Sequence, residues 1–158
     1  TKATNADCIN VFNFSNPENT NQSVVNRLVV DAVKKLSGKK NLSESWDALF
    51  RYFNKKKNNT DKGYTDGEKI FIKINQGTAN GNLRQDGKLN GYYFSKSLTE
   101  TEGAKNGTIG TCETNPGIVL EILRELVNVV GIDQKNISIG DPISHIFGHH
   151  YEAWHGRV

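Results

Sequence analysis

Six polar residues, grouped at three points of the chain, have the side chains that a small-ligand site needs. They are Lys73, Asn75, Gln76, Thr114, Asn115 and Asp141. Lys73, Asn75 and Gln76 lie at the end of one apolar run, and Asp141 follows another. Thr114 and Asn115 lie between the two runs. Ammonium, amide, hydroxyl and carboxylate groups orient polar ligands in binding sites. If the fold brings the three points together, the pattern predicts a site for a small molecule or an anion.

A strand, a helix and a second strand must position these side chains. The first strand is residues 68–75. Its apolar residues are almost continuous, which is typical of a strand covered on both faces; they are Ile70, Phe71, Ile72 and Ile74. The helix opens at residues 114–117, where Pro116 suits the first helical position because an N–H there would have no helical partner. The second strand is residues 137–140 and stops before Asp141-Pro142. In such a βαβ crossover the strand carboxyl ends meet the amino end of the helix, and ligands bind there.

Two interpretations of this strand-end group stay open. Free N–H groups at the start of the helix bind an anion with the help of the helix dipole, and Lys73 adds a positive charge. Alternatively, Thr114 or Asn115 only caps this helix and Asp141 only caps the next one. The first interpretation predicts a ligand site and the second predicts local structure alone.

A second group with functional chemistry lies beyond residue 144, where all the histidines are found. They are His145, His149, His150 and His155. His145 and His149 share a face if the segment is helical, which is a spacing that zinc uses, with Asp141 or Glu152 as third ligand. The alternative is a histidine cluster at the surface or partly buried. The sequence therefore predicts a divalent metal as the candidate cofactor, with His145, His149 and His150 as its ligands.

No catalytic residue can be assigned from the sequence. Cys112 lies near the helix start, where the dipole lowers a thiol pKa, but nothing in the sequence brings a histidine to it. Whether Cys8 and Cys112 form a disulfide or stay as thiols is left open. The glycine-rich segment 76–113 lacks the ending of a phosphate-binding loop, and there is no dinucleotide-binding fingerprint.

The amino-terminal half predicts one strand and two helices. Residues 8–14 are rich in strand-forming residues. The first helix has a buried face that includes Leu36, and Gly38 ends it. The second helix begins after Ser43 as its N-cap. Its apolar stripe is expected to be core, and consists of Trp46, Leu49, Phe50 and Phe53.

Length, composition and charge restrict the classes of protein. At 158 residues a single domain is expected. The sequence contains no run of 18 apolar residues, so it predicts no membrane-spanning helix. The net charge is only +3, and Lys55-Lys56-Lys57 has no interleaved aromatic residues, so the sequence predicts no nucleic-acid partner. The chain contains no methionine. It is therefore expected to be processed, and a removed leader would make it a periplasmic or exported protein.

The predicted fold class is α/β. We expect three layers, or an open and mostly parallel sheet, built from two βαβ-like units within one domain of residues 1–158. Three strands are few for a sheet, since five or six are average. The chain is therefore predicted to be the amino-terminal portion of a larger domain. The free sheet edge is expected to pair with missing carboxyl-terminal sequence or with another chain.

The strand–helix–strand segments resemble the domain of unknown function 362 family. The family pattern is an apolar strand ending Lys-x-Asn, a Thr-x-Pro helix start and a strand ending Gly-Asp. The matching residues are Lys73, Asn75, Thr114, Pro116 and Asp141, and the resemblance extends over residues 8–158. It implies a bacterial or archaeal α/β protein, whose relatives include exported proteins and fusions with iron–sulfur ferredoxin modules.

The resemblance implies a fold and a site location, and no reaction. Family members continue well past the position where this chain ends. The chain has two cysteines and no ferredoxin cysteine array, so an iron–sulfur cluster held by this chain alone is excluded. We expect an uncharacterised α/β protein, and an enzyme of unknown reaction, with a small-ligand, anion or metal site at the strand ends. The alternative is a non-catalytic binding or assembly module.

Overall fold

The computed structural model describes residues 20–75, 114–142 and 154–158. This part is a mixed α/β structure with three helices and a two-stranded parallel sheet, as the predicted fold class requires. In chain order the elements are α1 (Gln22–Ser37), α2 (Leu42–Asn58), β1 (Ile70–Lys73), α3 (Pro116–Glu125), a π-helical turn (Leu126–Val130), a 3₁₀ turn (Gln134–Asn136) and β2 (Ile137–Gly140). The predicted strand at 8–14, the glycine-rich segment 76–113 and the predicted helix after Pro142 lie outside the described residues.

Helix α1 begins and ends where its capping residues stand. The side chain of Asn21 accepts from the N–H of Val24 at the start. At the end, Gly38 takes the left-handed conformation with φ +71°, which glycine adopts without a steric penalty, as predicted. Val29 and Val33 are buried, but Leu36 in the last turn is 76% exposed. The buried stripe therefore ends one turn earlier than the apolar spacing predicts.

Helix α2 begins one residue before the predicted cap. The side chain of Asn41, rather than that of Ser43, accepts from the N–H groups of Ser43 and Glu44, at 2.8 and 3.3 Å. The prediction of Ser43 as N-cap is therefore wrong, because the asparagine two residues earlier already occupies that role. The expectation that all the aromatic residues of α2 are core is also wrong, since Phe53 is 56% exposed.

The sheet pairs β1 with β2 in parallel, with Ile70 opposite Ile137 and Lys73 opposite Gly140. Alternate residues of a strand point to opposite faces, and α3 packs against one face only. Ile74 on that face is buried, whereas Phe71 on the other face is 57% exposed. Among the described residues α3 covers one face of this strand, and a cover on the second face stays a prediction. The strand is also shorter than the predicted 68–75.

The core lies between the sheet and α3. Its buried members are Ile74, Val119, Leu120, Leu123 and Trp154. Helix α3 opens at Pro116 as predicted, and Ile118 in its first turn is 41% exposed. The helix widens into a π-helical turn that ends before Gly131, whose φ of +85° is a left-handed conformation that glycine adopts without a steric penalty. None of the helices in the described ranges is long and apolar enough to cross a membrane.

Candidate functional site at the carboxyl rim of the sheet

The strand carboxyl ends and the start of α3 meet at one edge of the sheet. This edge, called the carboxyl rim below, consists of Lys73, Asn75, Thr114, Asn115 and Asp141. The parallel register brings the ends of β1 and β2 to the same edge. The N–H of Ile74 donates to the carbonyl of Gly140 at 3.0 Å, which extends the pairing one residue beyond β1. Asn75 and Asp141 therefore leave the sheet side by side, which is the placement that the strand-end prediction needs.

Asn75 and Thr114 are joined by two hydrogen bonds. The N–H of Asn75 donates to the Thr114 hydroxyl at 2.8 Å. The N–H of Thr114 donates to the Asn75 carbonyl at 3.0 Å. Two bonds in opposite directions between the same residues fix the end of β1 against the chain that enters α3. Thr114 therefore positions the rim and does not act as a helix cap.

Asn115 is the N-cap of α3. Its side-chain oxygen accepts from the N–H of Gly117 at 2.8 Å, and its carbonyl accepts from the N–H groups of Ile118 and Val119. Pro116 has no N–H. The N–H groups of the first turn therefore already have acceptors, so they are not free to bind an anion as the first interpretation assumed. The helix dipole and Lys73 remain as sources of positive potential.

The first turns of α1 and α3 are also held together at this rim. The side chain of Gln22 donates to the carbonyl of Gly117 at 2.9 Å. A Cβ at Gly117 would lie 2.8 Å from the Gln22 side-chain oxygen and 3.1 Å from that of Asn115, so these two side chains would have to shift to admit it. Glycine at this position lets the two helix starts approach without that shift.

Lys73 and Asp141 form the charged pair of the carboxyl rim. The Lys73 Nζ lies 4.0 Å from an Asp141 carboxylate oxygen. The two side chains differ in exposure: 56% of the Lys73 side chain is accessible to solvent, against 2% of that of Asp141. The rim therefore presents an ammonium that a ligand can reach, above a carboxylate that is held inside the structure.

Several predicted site residues lie outside the described part of the chain. They are Gln76, His145, His149 and His150. His155 is described and is exposed. In the described ranges no three histidine, cysteine or acidic side chains are grouped so as to hold a metal ion. The metal site therefore stays a prediction, because its histidines are not among these residues.

Two acidic residues that the sequence reasoning missed are buried among the helices. Glu121 and Glu125 are 9% and 2% exposed, and burial raises the pKa of both carboxyls. Glu125 Oε2 accepts from Trp46 Nε1 at 2.7 Å, whereas its Oε1 is buried with no hydrogen-bond donor among the described residues. The signal was present in the sequence: residues 118–123 are apolar on nearly every side of the helix, and such a helix is buried together with its acidic residues.

Two apolar pockets in the described part lie away from the carboxyl rim. The larger, about 500 Å³, lies between α2 and β1 and is called the α2–β1 groove below. The smaller, about 260 Å³, lies between α3, β2 and the segment 154–158. No rim residue lines either pocket. In the described part of the chain, these two apolar pockets and the polar residues of the carboxyl rim are therefore at separate places.

Comparison with protein-family models, with curated proteins and with solved structures finds no match to this chain. The resemblance to the domain of unknown function 362 family therefore stays a prediction. The functional interpretation of the carboxyl rim rests on its own geometry.

Proposed function

We propose that this protein binds a small anionic ligand at the carboxyl rim, with Lys73 as the cation that contacts the anionic group. The observation that carries the proposal is the Lys73–Asp141 pair at the ends of two neighbouring parallel strands. Open α/β sheets bind their ligands at this edge. Many such proteins are enzymes, and we propose an enzyme whose reaction is still to be identified.

The charges and exposures favour this assignment. The Lys73 Nζ lies 4.0 Å from the Asp141 carboxylate, beyond hydrogen-bond distance, and 56% of the Lys73 side chain is in solvent, so the ammonium is open to a ligand. The positive end of the α3 dipole lies at the same rim and adds to the field of the ammonium. The Asp141 carboxylate repels the anionic group of a ligand but accepts hydrogen bonds. The site therefore suits a ligand in which a hydroxyl or amino group, able to donate to Asp141, lies next to the anionic group that contacts Lys73.

The test is thermal unfolding of the full chain with a panel of phosphate, phosphorylated sugars, nucleotides and organic acids. A ligand present at about a hundred times its Kd stabilises the folded state by about 2.7 kcal/mol. For a chain of this length, that raises Tm by roughly 5–10 °C. Lys73→Ala should abolish the shift, and measuring each protein with and without ligand separates this loss from any change in the stability of the unliganded protein.

The matched control is Lys135→Ala. Lys135 is an exposed lysine at the other end of the sheet and pairs with Asp133 at 2.6 Å, so its removal makes the same change in net charge. It should leave the ligand shift intact. The proposal is refuted if no anion in the panel shifts Tm, or if Lys135→Ala abolishes the shift as completely as Lys73→Ala does.

A divalent metal is the second candidate at this edge, on the basis of the Asp141 carboxylate and the predicted histidines. Metal analysis of the purified protein tests it. Asp141→Ala and His149→Ala should each lower the bound metal if these residues are ligands. Equal metal content in both variants and in the unsubstituted protein would show that neither Asp141 nor His149 binds the metal.

We also propose that β1 and β2 belong to an open, mostly parallel sheet with helices on both faces. A two-stranded sheet is marginal by itself. The face that carries Phe71 is uncovered by the described helices, which leaves room for a third layer. The non-catalytic alternative is that a free sheet edge pairs with another chain.

A further inference from the structure

The α2–β1 groove has the size and the lining of a small-molecule site. Its volume of about 500 Å³ is within the range of pockets that hold small ligands. Aromatic side chains dominate its lining; they are Trp46, Phe50, Phe53 and Phe71. Phe53 and Phe71 are 56% and 57% exposed, although large apolar side chains favour burial. A ligand in the groove would cover apolar surface that the described part of the chain leaves in solvent.

Two of the rings on the α2 side are held in place by neighbouring residues. Trp46 Nε1 donates to Oε2 of the buried Glu125 at 2.7 Å, which fixes the indole ring. The ring of Phe50 packs against those of Trp46 and Tyr64, with 6.1 and 5.7 Å between the centroids. This wall of the groove is therefore formed before a ligand arrives, which lowers the entropic cost of binding.

The Asn54 amide, which also lines the groove, is engaged with the protein. Its nitrogen donates to the carbonyls of Lys62 and Gly63 at 3.0 and 3.3 Å. Its oxygen accepts from the side chain of Asn58 at 3.3 Å. These bonds hold the chain that leaves α2 against the helix, and they leave the Asn54 amide little capacity to bind a ligand.

The ammonium group of Lys69 is directed away from the groove that this residue lines. Lys69 Nζ donates to Oδ1 of Asn136 at 2.6 Å and lies 3.5 Å from the carbonyl of Lys135. Neither Asn136 nor Lys135 lines the groove. The positive charge of Lys69 is therefore held at the start of β2.

Glu68 alone is acidic among the described residues of the groove lining, and its position is fixed. Its N–H donates to the carbonyl of Thr65 at 3.0 Å, and its Oε2 accepts from the N–H of Thr65 at 2.8 Å. Its carbonyl accepts from the Tyr64 hydroxyl at 3.2 Å. No described residue donates a hydrogen bond to its Oε1. Because an ionised carboxylate accepts about four hydrogen bonds, Glu68 offers a ligand an acceptor with most of its capacity unused.

We propose that the α2–β1 groove is a second binding site, separate from the carboxyl rim, for a small organic cation with an aromatic body. The ammonium group of the ligand donates to the Glu68 carboxylate, and its body lies against Phe50, Phe53 and Ile70. Hydrogen bonds between charged groups are the strong ones, and aromatic faces attract cations. An anionic ligand would be repelled by Glu68, and an uncharged ligand would forgo the charge of that carboxylate.

The experiment is isothermal titration calorimetry of the full chain with phenethylamine, phenethyl alcohol and phenylpropanoate. These probes carry a cationic, an uncharged and an anionic group on the same ring and chain. The amine should bind about tenfold more tightly than the alcohol, because its hydrogen bond to Glu68 joins two charged groups. The carboxylate should bind more weakly than the alcohol. Failure of the amine to bind, or equal binding of the alcohol or the carboxylate, would overturn the proposal.

Two variants locate the site in the groove. Glu68→Gln removes the charge but keeps an oxygen for the Thr65 N–H, so it should weaken binding of the amine about tenfold and leave binding of the alcohol unchanged. Phe53→Ala should weaken binding of both probes severalfold, because the ring supplies apolar contact to each. Both residues are exposed, so neither change threatens folding.

The matched control is Glu44→Gln, the same chemical change at an exposed position in the first turn of α2 that does not line the groove. It should leave binding of the amine unchanged. If it weakens binding as much as Glu68→Gln does, the amine is attracted by net charge and the assignment to Glu68 is wrong. Lys73→Ala should also leave binding of the amine unchanged, because Lys73 belongs to the carboxyl rim. The two proposals can therefore fail independently.

Discussion

Replacing Glu125 by glutamine tests whether this chain holds a carboxyl group in an environment that disfavours its charge. The side chain is 2% exposed, and no residue in the described part of the chain donates a hydrogen bond to its Oε1. Burial raises its pKa above the ordinary 4.5, and the neighbouring Glu121 charge adds to the rise, while the bond from Trp46 and the charge of Lys34 oppose it. Glutamine keeps an oxygen for the Trp46 N–H and cannot ionise.

The sign and size of the effect follow from linkage. A carboxyl whose pKa is raised by folding binds its proton more tightly in the folded state. The contribution of the Glu125 carboxyl to the free energy of unfolding is therefore fully favourable below pH 4.5 and is lost as the pH rises from there through the folded pKa. Each unit by which the folded pKa exceeds the unfolded value costs about 1.4 kcal/mol at neutral pH. Glu125→Gln avoids that cost at neutral pH and gains nothing in acid.

The assay is urea unfolding of both proteins, followed by tryptophan fluorescence, at neutral pH and below pH 4.5. The free energy of unfolding of the glutamine variant, relative to the unsubstituted protein, should be higher at neutral pH than in acid. Comparing the two pH values cancels the constant cost of burying the amide. Glu44→Gln, in the exposed first turn of α2, is the control and should show no such rise. A difference for Glu125→Gln that is the same at both pH values would refute the reasoning.

Two further substitutions test the core and the helix start. Leu120→Ala should lower the free energy of unfolding by about 2–5 kcal/mol, because its side chain is fully buried and leaves a cavity; Leu36→Ala, at a 76% exposed position, should change it by less than about 0.5 kcal/mol in the same denaturant titration. Asn115→Ala should cost about 1 kcal/mol through loss of the bond to the Gly117 N–H, and Asn115→Asp should restore most of it. Equal stabilities of the alanine and aspartate variants would contradict the capping role.

Local structure in this chain followed from local sequence. The end of α1 at Gly38 was predictable because a left-handed residue at a helix end favours glycine within a few positions of the chain. The same rule accounts for Gly131 after the π-helical turn. The start of α3 at Pro116 and the span of β2 were predictable for the same reason, since each depends on backbone preferences of adjacent residues. The expectation that polar residues gather at the strand ends also needed only the order of the elements.

Burial and contacts between distant residues were decided by the tertiary structure. The apolar pattern showed which side of a strand or helix favours burial, but not whether another element is present to cover it, so Phe53 and Phe71 are exposed where core was expected. The sequence reasoning gave Glu125 no role, because its hydrogen bond from Trp46 comes from α2, which is distant in the chain. The parallel register that brings Lys73 to Asp141 is likewise a property of two strands together, because neither strand alone specifies its partner.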